Sequence, residues 1–362
     1  MQLNYHAYYN NTGYSCAAQS YILAMLRVDP NVDIRTHYIN HRLGLGISRN
    51  RQQLFTALNK KDPKEPNVNL HHCIPPRYRH SPEKAKNFGF CVFETINPPA
   101  EWITQMNNMD AIITASQFNK NVFESQGVKC PIHLVPHCFD EEMFNKKIKA
   151  PGRYSQTTFI SIGAWKTRKN WEALIEAWYQ AFEQRHNVCL LIKTDKPDDL
   201  RALVQHVKRT SGLRSKATAP IYCEEEPVCD FEDIPKILRK GDIYISASLG
   251  EGFGLDSLHA MALGIPVITT RFGGTLEYAK PDLCTYLEPQ KYRNIPAMDG
   301  IPQLNNCIWP YITVDEISKK MKQVLYEVKD REEKAERAYK YVHERFTYQS
   351  IGKKLLETLE LI

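Results

Sequence analysis

The stretch that decides the fold is Ser248-Leu-Gly-Glu-Gly-Phe-Gly-Leu-Asp-Ser-Leu-His-Ala-Met-Ala-Leu-Gly-Ile-Pro-Val-Ile-Thr-Thr270. An apolar strand-like run precedes it at residues 242–247, and it contains a glycine-rich turn with one carboxylate, a helix with an apolar face and a second apolar strand. This order predicts a βαβ unit. The turn places Glu251 and several backbone N–H groups at the N-terminus of the helix, where they can face a sugar and its phosphates.

Short apolar runs recur along the whole chain between stretches of helical periodicity. They lie at residues 3–8, 32–39, 68–71, 88–93, 111–115, 132–136, 158–163, 188–193, 221–223, 242–247 and 266–269. Such alternation is typical of a parallel sheet with helices on both faces. The sequence therefore predicts an α/β protein of two doubly wound, Rossmann-like domains that face each other across a cleft, with the active site in that cleft.

The domain boundary is predicted at a charged break over residues 140–154, which contains Pro151-Gly152. At 362 residues the chain is long enough for two cores. We predict an N-terminal domain over residues 1–150 and a C-terminal domain over residues 151–340. Residues 341–362 end in an amphipathic helix, which we expect to return to the N-terminal domain.

The composition is that of an ordinary globular protein, with 43% hydrophobic and 24% charged residues. No apolar run approaches the roughly 20 residues that span a bilayer, and the N-terminus has neither the basic nor the apolar part of a signal peptide. We therefore predict a cytoplasmic protein whose ten cysteines are reduced. Residues 71–73 and 223–229 contain metal-ligand residue types without the spacing of a zinc site, so no metal cofactor is predicted.

The net charge of +6 is concentrated in the first part of the chain, because residues 1–150 hold 17 Lys and Arg against 12 Asp and Glu. The basic residues cluster at Arg49 and Arg51, at Lys60, Lys61 and Lys64, and at Arg77, Arg79, Lys84 and Lys86. One interpretation is a solvated basic face. The other is that this part of the chain meets an anionic partner.

Three stretches carry a family resemblance. The first comprises residues 89–95, 98–102, 110, 116–118 and 135–140. The second is Ser161-Ile-Gly-Ala-Trp-Lys-Thr-Arg-Lys-Asn-Trp-Glu-Ala-Leu-Ile-Glu-Ala177. The third consists of residues 251–255, residues 264–268, Gly273-Gly274 and Glu277. With all three in order, the chain resembles a retaining glycosyltransferase of the GT4 family, whose fold is GT-B. The resemblance implies a nucleotide-sugar donor as co-substrate, a UDP- or GDP-sugar above all, bound by the C-terminal domain.

The resemblance also implies roles for individual residues. Glu251 matches the family's first glutamate, which contacts the transferred sugar, and Lys169 matches its phosphate-binding lysine. Arg168 and Lys166 stand beside Lys169 as helpers, although a solvated basic loop is an alternative there. The rest of the predicted donor site consists of Gly13, Gly163, Lys193, Gly252, Phe253, Gly254, Leu255 and His259, of which residues 253–255 offer backbone N–H groups to the phosphates.

The sequence departs from the family pattern at three positions. His259 stands where the family has a second glutamate that holds the ribose hydroxyls, and an imidazole cannot accept two hydrogen bonds as a carboxylate does. Ala164 follows Gly163 where the family has an arginine, for which Lys166 is a substitute. Cys138 replaces a turn glycine. The donor's identity is therefore open.

The sequence gives fewer residues for the acceptor site than for the donor site. His72, at a strand end, and Glu94 are candidate catalytic residues that orient the acceptor, and a structural role is open for each. In this family the leaving phosphate is thought to take the acceptor's proton, so a protein base need not exist. The resemblance also implies no metal, and the sequence has no Asp-x-Asp metal signature in a suitable loop. Candidate acceptors are a glycan, a lipid-linked glycan met at a membrane surface, or a nucleic acid. The alternatives are a catalytically impaired nucleotide-sugar-binding protein and a GT-B nucleotide-sugar isomerase.

Overall fold

The computed structural model describes most of the chain. The described residues are 1–10, 12–39, 47–61, 66–81, 85–149, 154, 156–211, 217–226, 228, 231–296, 298–300 and 304–360. The predicted domain boundary at residues 150 and 151 and the Pro151-Gly152 pair lie outside them. The same is true of Lys64, Lys84 and Cys229.

The described elements follow one another in the alternating order that the sequence predicts. The strands are β1 Gln2–Ala7, β2 Asp33–Tyr38, β3 Val68–His72, β4 Lys86–Phe90, β5 Ala111–Thr114, β6 Ile132–Leu134, β7 Thr157–Ile162, β8 Val188–Lys193, β9 Ile221–Cys223, β10 Ile243–Ser246, β11 Val267–Thr270, β12 Thr285–Leu287, β13 Lys291–Asn294 and β14 Ile308–Tyr311. The helices are α1 Gly13–Val28, α2 Arg49–Lys60, α3 Ala100–Met106, α4 Gln117–Ser125, α5 Trp171–Ala181, α6 Pro197–Thr210, α7 Ile234–Leu238, α8 Leu255–Ala262, α9 Val314–Tyr326, α10 Val328–Arg345 and α11 Tyr348–Glu360.

The chain divides into two compact units. Unit 1 comprises Met1–Met143, Val228–Ile234 and His343–Ile362, and unit 2 comprises Phe144–Pro227 and Pro235–Val342. Each contains a six-stranded parallel sheet, ordered β2-β1-β3-β4-β5-β6 in unit 1 and β12-β11-β10-β7-β8-β9 in unit 2. In both sheets the strand order reverses beside the first strand, which is the mark of a doubly wound fold. The predicted fold class of two such α/β domains is confirmed.

Unit 1 is completed by the last helix of the chain. Helix α11 buries Ile351, Leu355 and Leu359 and packs against α1. Gly352 sets how close the helices come, because a Cβ added there would lie 2.5 Å from the carbonyl oxygen of Ala24. A small residue at a helix crossing permits this approach, and any larger one must push the helices apart.

One face of the unit 1 sheet carries three stacked imidazoles, which we call the histidine column. His6 on β1 is in register with His37 on β2 and His71 on β3. Its ring lies 4.3 Å from that of His37 and 4.4 Å from that of His71, at interplanar angles of 14° and 15°. Burial and the neighbouring cationic groups lower the pKa of all three, that of His71 to about 4. The column is therefore neutral at neutral pH.

Unit 2 continues beyond its parallel sheet into a short antiparallel ribbon. Strand β13 pairs with β14, and every residue of β13 is exposed. The segment between these strands contains a short 3-10 helix, Met298–Gly300, whose Asp299 has a φ of 57°. This excursion carries Asp299 back to the turns at the carboxyl ends of β7 and β10, where the candidate site lies.

Candidate active site

The site is built on the turn between β10 and α8. Gly254 ends this turn with a φ of 84°, and a Cβ there would lie 2.6 Å from Cγ2 of Thr275 and 2.9 Å from the hydroxyl of Tyr278. The space around Gly274 is smaller still, since an added Cβ would lie 1.8 Å from the carbonyl oxygen of Gly252. Only glycine meets both demands, a left-handed backbone at the first position and backbone contact at the second. Gly254 and Gly274 thus shape the turn that presents Glu251.

A second turn, after β7, is tied to the first through the backbone. It contains the 3-10 helix Thr167–Lys169. The carbonyl oxygen of Arg168 accepts hydrogen bonds from the N–H of Leu249, at 2.7 Å, and from the hydroxyl of Ser248, at 3.2 Å. Gly163 lies beneath the Lys169 side chain, because a Cβ there would be 3.0 Å from Cε of the lysine. Two predicted parts of the donor site, far apart in the sequence, are therefore fixed together.

The central feature is a cluster of one carboxylate and two cations. Oε1 of Glu251 lies 2.6 Å from Nζ of Lys169, and Oε2 lies 3.0 Å from Nη1 of Arg168. Nη1 also donates to the carbonyl oxygen of Gly250 at 3.1 Å. The three charged side chains are only 11% to 17% exposed. Glu251, Lys169 and Arg168, which the sequence predicts as site residues, are thus in direct contact.

The charges of this cluster give two nearby carboxyl groups, those of Glu251 and Asp256, different pKa values. Burial by itself raises the pKa of Glu251, but attraction from Lys169 and Arg168 outweighs it and lowers the pKa to about 2. For Asp256, in the first turn of α8, burial and repulsion from Glu251 win over the same two cations and raise the pKa to about 6. At neutral pH Glu251 is a fixed anion, whereas Asp256 is close to its titration point.

The N-terminus of α8 adds hydrogen-bond donors beside the cluster. Gly254 is the N-cap residue and offers no side-chain cap. Within the part of the chain that the structure describes, no protein acceptor bonds to the N–H groups of Gly254 and Leu255. Such N–H groups at the positive end of a helix dipole suit an anionic ligand. The two turns together can therefore present cations and oriented amides to the same group.

The structure adds one residue that the sequence analysis missed. Oδ1 of Asp299 accepts a hydrogen bond from the backbone N–H of Arg168 at 3.0 Å, and Oδ2 lies 3.2 Å from Nε of the same arginine. The Asp299 side chain is 6% exposed. An isolated aspartate in a loop carries no sequence signal, because its partner lies 131 residues earlier in the chain.

Two predicted donor-site lysines lie outside the cluster. Lys166 is exposed, and its carbonyl oxygen accepts a hydrogen bond from the N–H of Lys169 at 3.0 Å. Lys193, at the end of β8, donates through Nζ to the carbonyl oxygen of Glu224 at 3.2 Å and to that of Glu226. Neither side chain is held on Glu251, so their roles in donor binding stay predictions.

His259 lies on the buried side of α8. Its ring is 8% exposed and stacks on that of Phe144, with the centroids 4.1 Å apart. Burial lowers the pKa of His259 to about 3, so the ring is neutral. Its Nδ1 is buried and has no hydrogen-bond partner among the described residues. The packing on Phe144 gives His259 a structural role, and its contact with a ribose stays a prediction.

The predicted residues of unit 1 differ in accessibility. Gly13 begins α1, and an added Cβ there would meet no other part of the described chain within 4 Å, its chain neighbours and its own helix backbone apart. Glu94 follows β4, is partly exposed and lies near the Tyr14 ring. His72 is 1% exposed, with Nδ1 2.8 Å from the Tyr5 hydroxyl and its ring stacked on Phe90 at 4.2 Å. This burial counts against the predicted contact between His72 and an acceptor.

The basic residues of unit 1 do not all lie on an exposed face. Arg51 is 6% exposed, and its Nε lies 2.9 Å from Oε1 of Glu232. Arg51 therefore does not contribute to a solvated basic face, because a carboxylate distant in sequence pairs with it in the interior. Arg49, Arg77 and Arg79 are exposed.

The two neighbouring histidines of β3 do not form a metal site together. His71 and His72 point to opposite faces of the strand, one into the histidine column and the other onto Phe90. Among the described residues, no group of three or more His, Cys, Asp or Glu side chains is arranged to hold a metal ion. Likewise, no helix in the described ranges has the length and hydropathy of a membrane span.

Related proteins match much of the chain in sequence. Residues 156–292 match the family model described as glycosyl transferases group 1. Uncharacterized protein 356 of Sulfolobus islandicus rod-shaped virus 1 is 25% identical over 284 residues, which are 75% of this chain and 75% of that protein. Mannosylfructose-phosphate synthase of Agrobacterium fabrum is 25% identical over 181 residues, which are 46% of this chain and 38% of that protein.

Solved structures share the fold over the whole chain. HepE from Anabaena, in complex with UDP and glucose, matches with a TM-score of 0.71 at 13% identity and covers 100% of both chains. Sucrose-phosphate synthase from Thermosynechococcus elongatus matches with a TM-score of 0.69 at 12% identity and covers 99% of this chain and 98% of that chain. These matches give the fold as GT-B, and with the family match they support a glycosyltransferase.

Proposed function

We propose that the protein is a retaining glycosyltransferase of the GT4 type that transfers a sugar from a UDP- or GDP-sugar. The observation that carries this proposal is the cluster of Glu251, Lys169 and Arg168 at the N-terminus of α8. The carboxylate for the sugar lies on the turn between β10 and α8, and the two cations for the phosphates reach it from the turn after β7. The matched family segment, residues 156–292, contains the whole cluster.

The arrangement suits a diphosphate leaving group. When the bond between the anomeric carbon and the phosphate oxygen breaks, negative charge accumulates on the diphosphate. Lys169, Arg168 and the N–H groups of Gly254 and Leu255 are donors that can stabilise this charge. The fold brings these groups close together before a ligand arrives, which helps to lower the barrier.

Glu251 would act on the sugar side of the same bond. Because the pKa of its carboxyl is about 2, it is ionised across the physiological range. An ionised carboxylate beside the sugar ring opposes the positive charge that develops at the anomeric carbon, and it accepts hydrogen bonds from sugar hydroxyls. For this, Glu251 must share or exchange its contacts with Lys169 when the donor binds.

The proposed reaction needs no protein base. The acceptor oxygen forms its bond to the anomeric carbon on the face from which the diphosphate departs, and the departing phosphate oxygen takes the acceptor's proton. The products are a glycoside of unchanged anomeric configuration and a nucleoside diphosphate. No metal ion is assigned a role, because the two cations supply the charge that a metal would provide.

The first unit is proposed to bind the acceptor. The partly exposed Glu94 is the residue we assign to this task, and Gly13 stays assigned to the donor. Exposed Arg77 and Arg79 supply charge for an anionic glycan, a lipid-linked glycan or a nucleic acid. A salt titration of binding to these three classes tests whether charge matters, since a phosphate-rich acceptor loses affinity steeply as salt rises.

The donor is tested by thermal unfolding of the wild type with UDP, GDP, ADP, CMP and dTDP, each added alone. A ligand present at about 100 times its dissociation constant stabilises the folded state by about 2.7 kcal/mol, which raises the melting temperature by roughly 5 °C. We expect UDP or GDP to give this rise. Loss of the rise in Lys169→Ala, but not in the control Lys319→Ala, would support nucleotide binding at the cluster; Lys319 is an exposed lysine of α9 in the same unit.

The reaction class is tested by product analysis with the donor found in this way. Proton NMR of the product reports the anomeric configuration, and retention is expected. A product that is an isomer of the nucleotide sugar, formed with no acceptor present, would instead indicate an isomerase. Tight donor binding with neither product would indicate a binding protein, the alternative that the departure at His259 favours.

A further inference from the structure

Arg168 is held on two sides by carboxylates. Nη1 faces Glu251 at 3.0 Å, while Nε faces Asp299 at 3.2 Å. Asp299 also accepts a hydrogen bond from the backbone N–H of Arg168, so it fixes both the main chain and the side chain of this one residue. Lys169, by contrast, has its ion pair with Glu251 alone among those that the structure describes for it. The two cations are thus constrained to different degrees.

Asp299 reaches this position at a conformational cost. It adopts a left-handed backbone, with a φ of 57°, and its carboxylate is removed from water. Both features are unfavourable for a residue that serves only to close a loop. It comes from the segment between β13 and β14, beyond the residues 156–292 that match the family model. The contact with Arg168 therefore comes from a residue outside the matched segment.

We propose that Asp299 is a positioning residue that orients the Arg168 guanidinium for the diphosphate of the donor, an inference that rests on the proposed function. A guanidinium offers five N–H donors in a planar fork. With Nε held by Asp299, rotation of the fork about its stem is restricted, and the plane in which the remaining donors lie is set before the donor arrives. Without Asp299, the fork can turn about its stem, and its remaining donors no longer lie in a fixed plane that matches the diphosphate.

The sign of the effect distinguishes positioning from charge. Asp299 carries a negative charge next to a cation proposed to bind phosphate, so its removal should tighten nucleotide binding if charge alone matters. Positioning predicts the reverse. The variants are Asp299→Asn and Asp299→Gly, because asparagine and glycine tolerate a positive φ best and the backbone is left undisturbed. Asp282→Asn is the matched control, an exposed aspartate of the same unit.

The test measures the dissociation constants of UDP and GDP by calorimetry for these variants, alone and combined with Arg168→Ala. We expect Asp299→Gly to weaken binding roughly tenfold, Asp299→Asn to weaken it less, and Asp282→Asn to leave it unchanged. In the Arg168→Ala background, Asp299→Gly should change affinity by less than about twofold, because the residue acts through Arg168.

The outcomes separate the two proposals. Unchanged or tighter nucleotide binding in Asp299→Gly, with normal binding by the wild type, overturns the positioning role and leaves the proposed function intact. An equal loss with and without Arg168 also overturns it, since the effect would then be a general one on the fold. A wild type that binds neither UDP nor GDP overturns both.

Discussion

Replacing Asp256 by asparagine should make the protein more stable at neutral and alkaline pH. A carboxylate in the first turn of a helix ordinarily stabilises it, by about 0.3 to 1 kcal/mol. Here burial and the nearby Glu251 carboxylate work against the ionised form and raise the pKa from 3.8 to about 6. The folded state therefore binds a proton more tightly than the unfolded chain does, and stability falls as the pH rises through this range.

The magnitude follows from the size of the shift. A difference of about two pKa units corresponds to about 3 kcal/mol, since each unit is worth 1.36 kcal/mol. The wild type bears this cost in full above pH 6 and not at all below pH 4. The neutral amide of Asp256→Asn removes the cost, so the free energy of unfolding should rise by up to about 3 kcal/mol at pH 8 and should be almost unchanged at pH 4.

The assay is urea unfolding followed by tryptophan fluorescence at pH 4, 6 and 8. Four of the five tryptophans belong to unit 2 and report on the unit that contains Asp256; they are Trp165, Trp171, Trp178 and Trp309. Asp282→Asn, at an exposed position, is the control and should follow the wild type at every pH. A variant Asp256→Asn that is less stable than the wild type at pH 8 would refute the reasoning, because the helix-dipole term would then outweigh burial.

Three further predictions concern stability. Glu251→Gln should cost about 3 kcal/mol at pH 7, because the pKa falls from 4.5 to about 2 on folding; this stability is lost as the pH drops from 4.5 towards 2, so acid unfolding curves of variant and wild type should converge there. Gly274→Ala should lose at least about 3 kcal/mol, since its Cβ would strike backbone at 1.8 Å, whereas Gly13→Ala has open space and should melt within about 2 °C of the wild type by circular dichroism. His71→Phe should unfold at a lower pH than the wild type. The lowered pKa of His71, about 4, makes the wild type lose up to about 3 kcal/mol of its free energy of unfolding as the pH falls from 6.5 to 4. Acid unfolding at the same pH in both proteins would contradict this.

The local sequence was sufficient for much of the fold and for the centre of the site. The buried strands, their succession along the chain and the glycine turn follow from short-range patterns of apolar and glycine residues. The Glu251 and Lys169 contact was predictable because both residues follow strands whose carboxyl ends lie at the same edge of one sheet. These features depend on residues close in sequence or on a rule that places strand ends together.

What the sequence could not supply depends on pairs distant in the chain. Asp299 meets Arg168 through a loop excursion that no periodicity marks, and Arg51 is drawn inside by Glu232 at a separation of 181 residues. His72 looked accessible as a strand-end histidine, but the aromatic rings around it are contributed by other strands. The sequence therefore predicted the chemical roles of residues better than it predicted how exposed they are.

The most direct test of the account is a calorimetric titration of the wild type and Lys169→Ala with UDP and with GDP. If the cations on Glu251 receive the donor's diphosphate, one of the two nucleotides binds the wild type, and its affinity falls roughly tenfold or more in Lys169→Ala. Lys319→Ala should bind as the wild type does. Equal affinity in wild type and Lys169→Ala, or no binding of either nucleotide, would contradict the account.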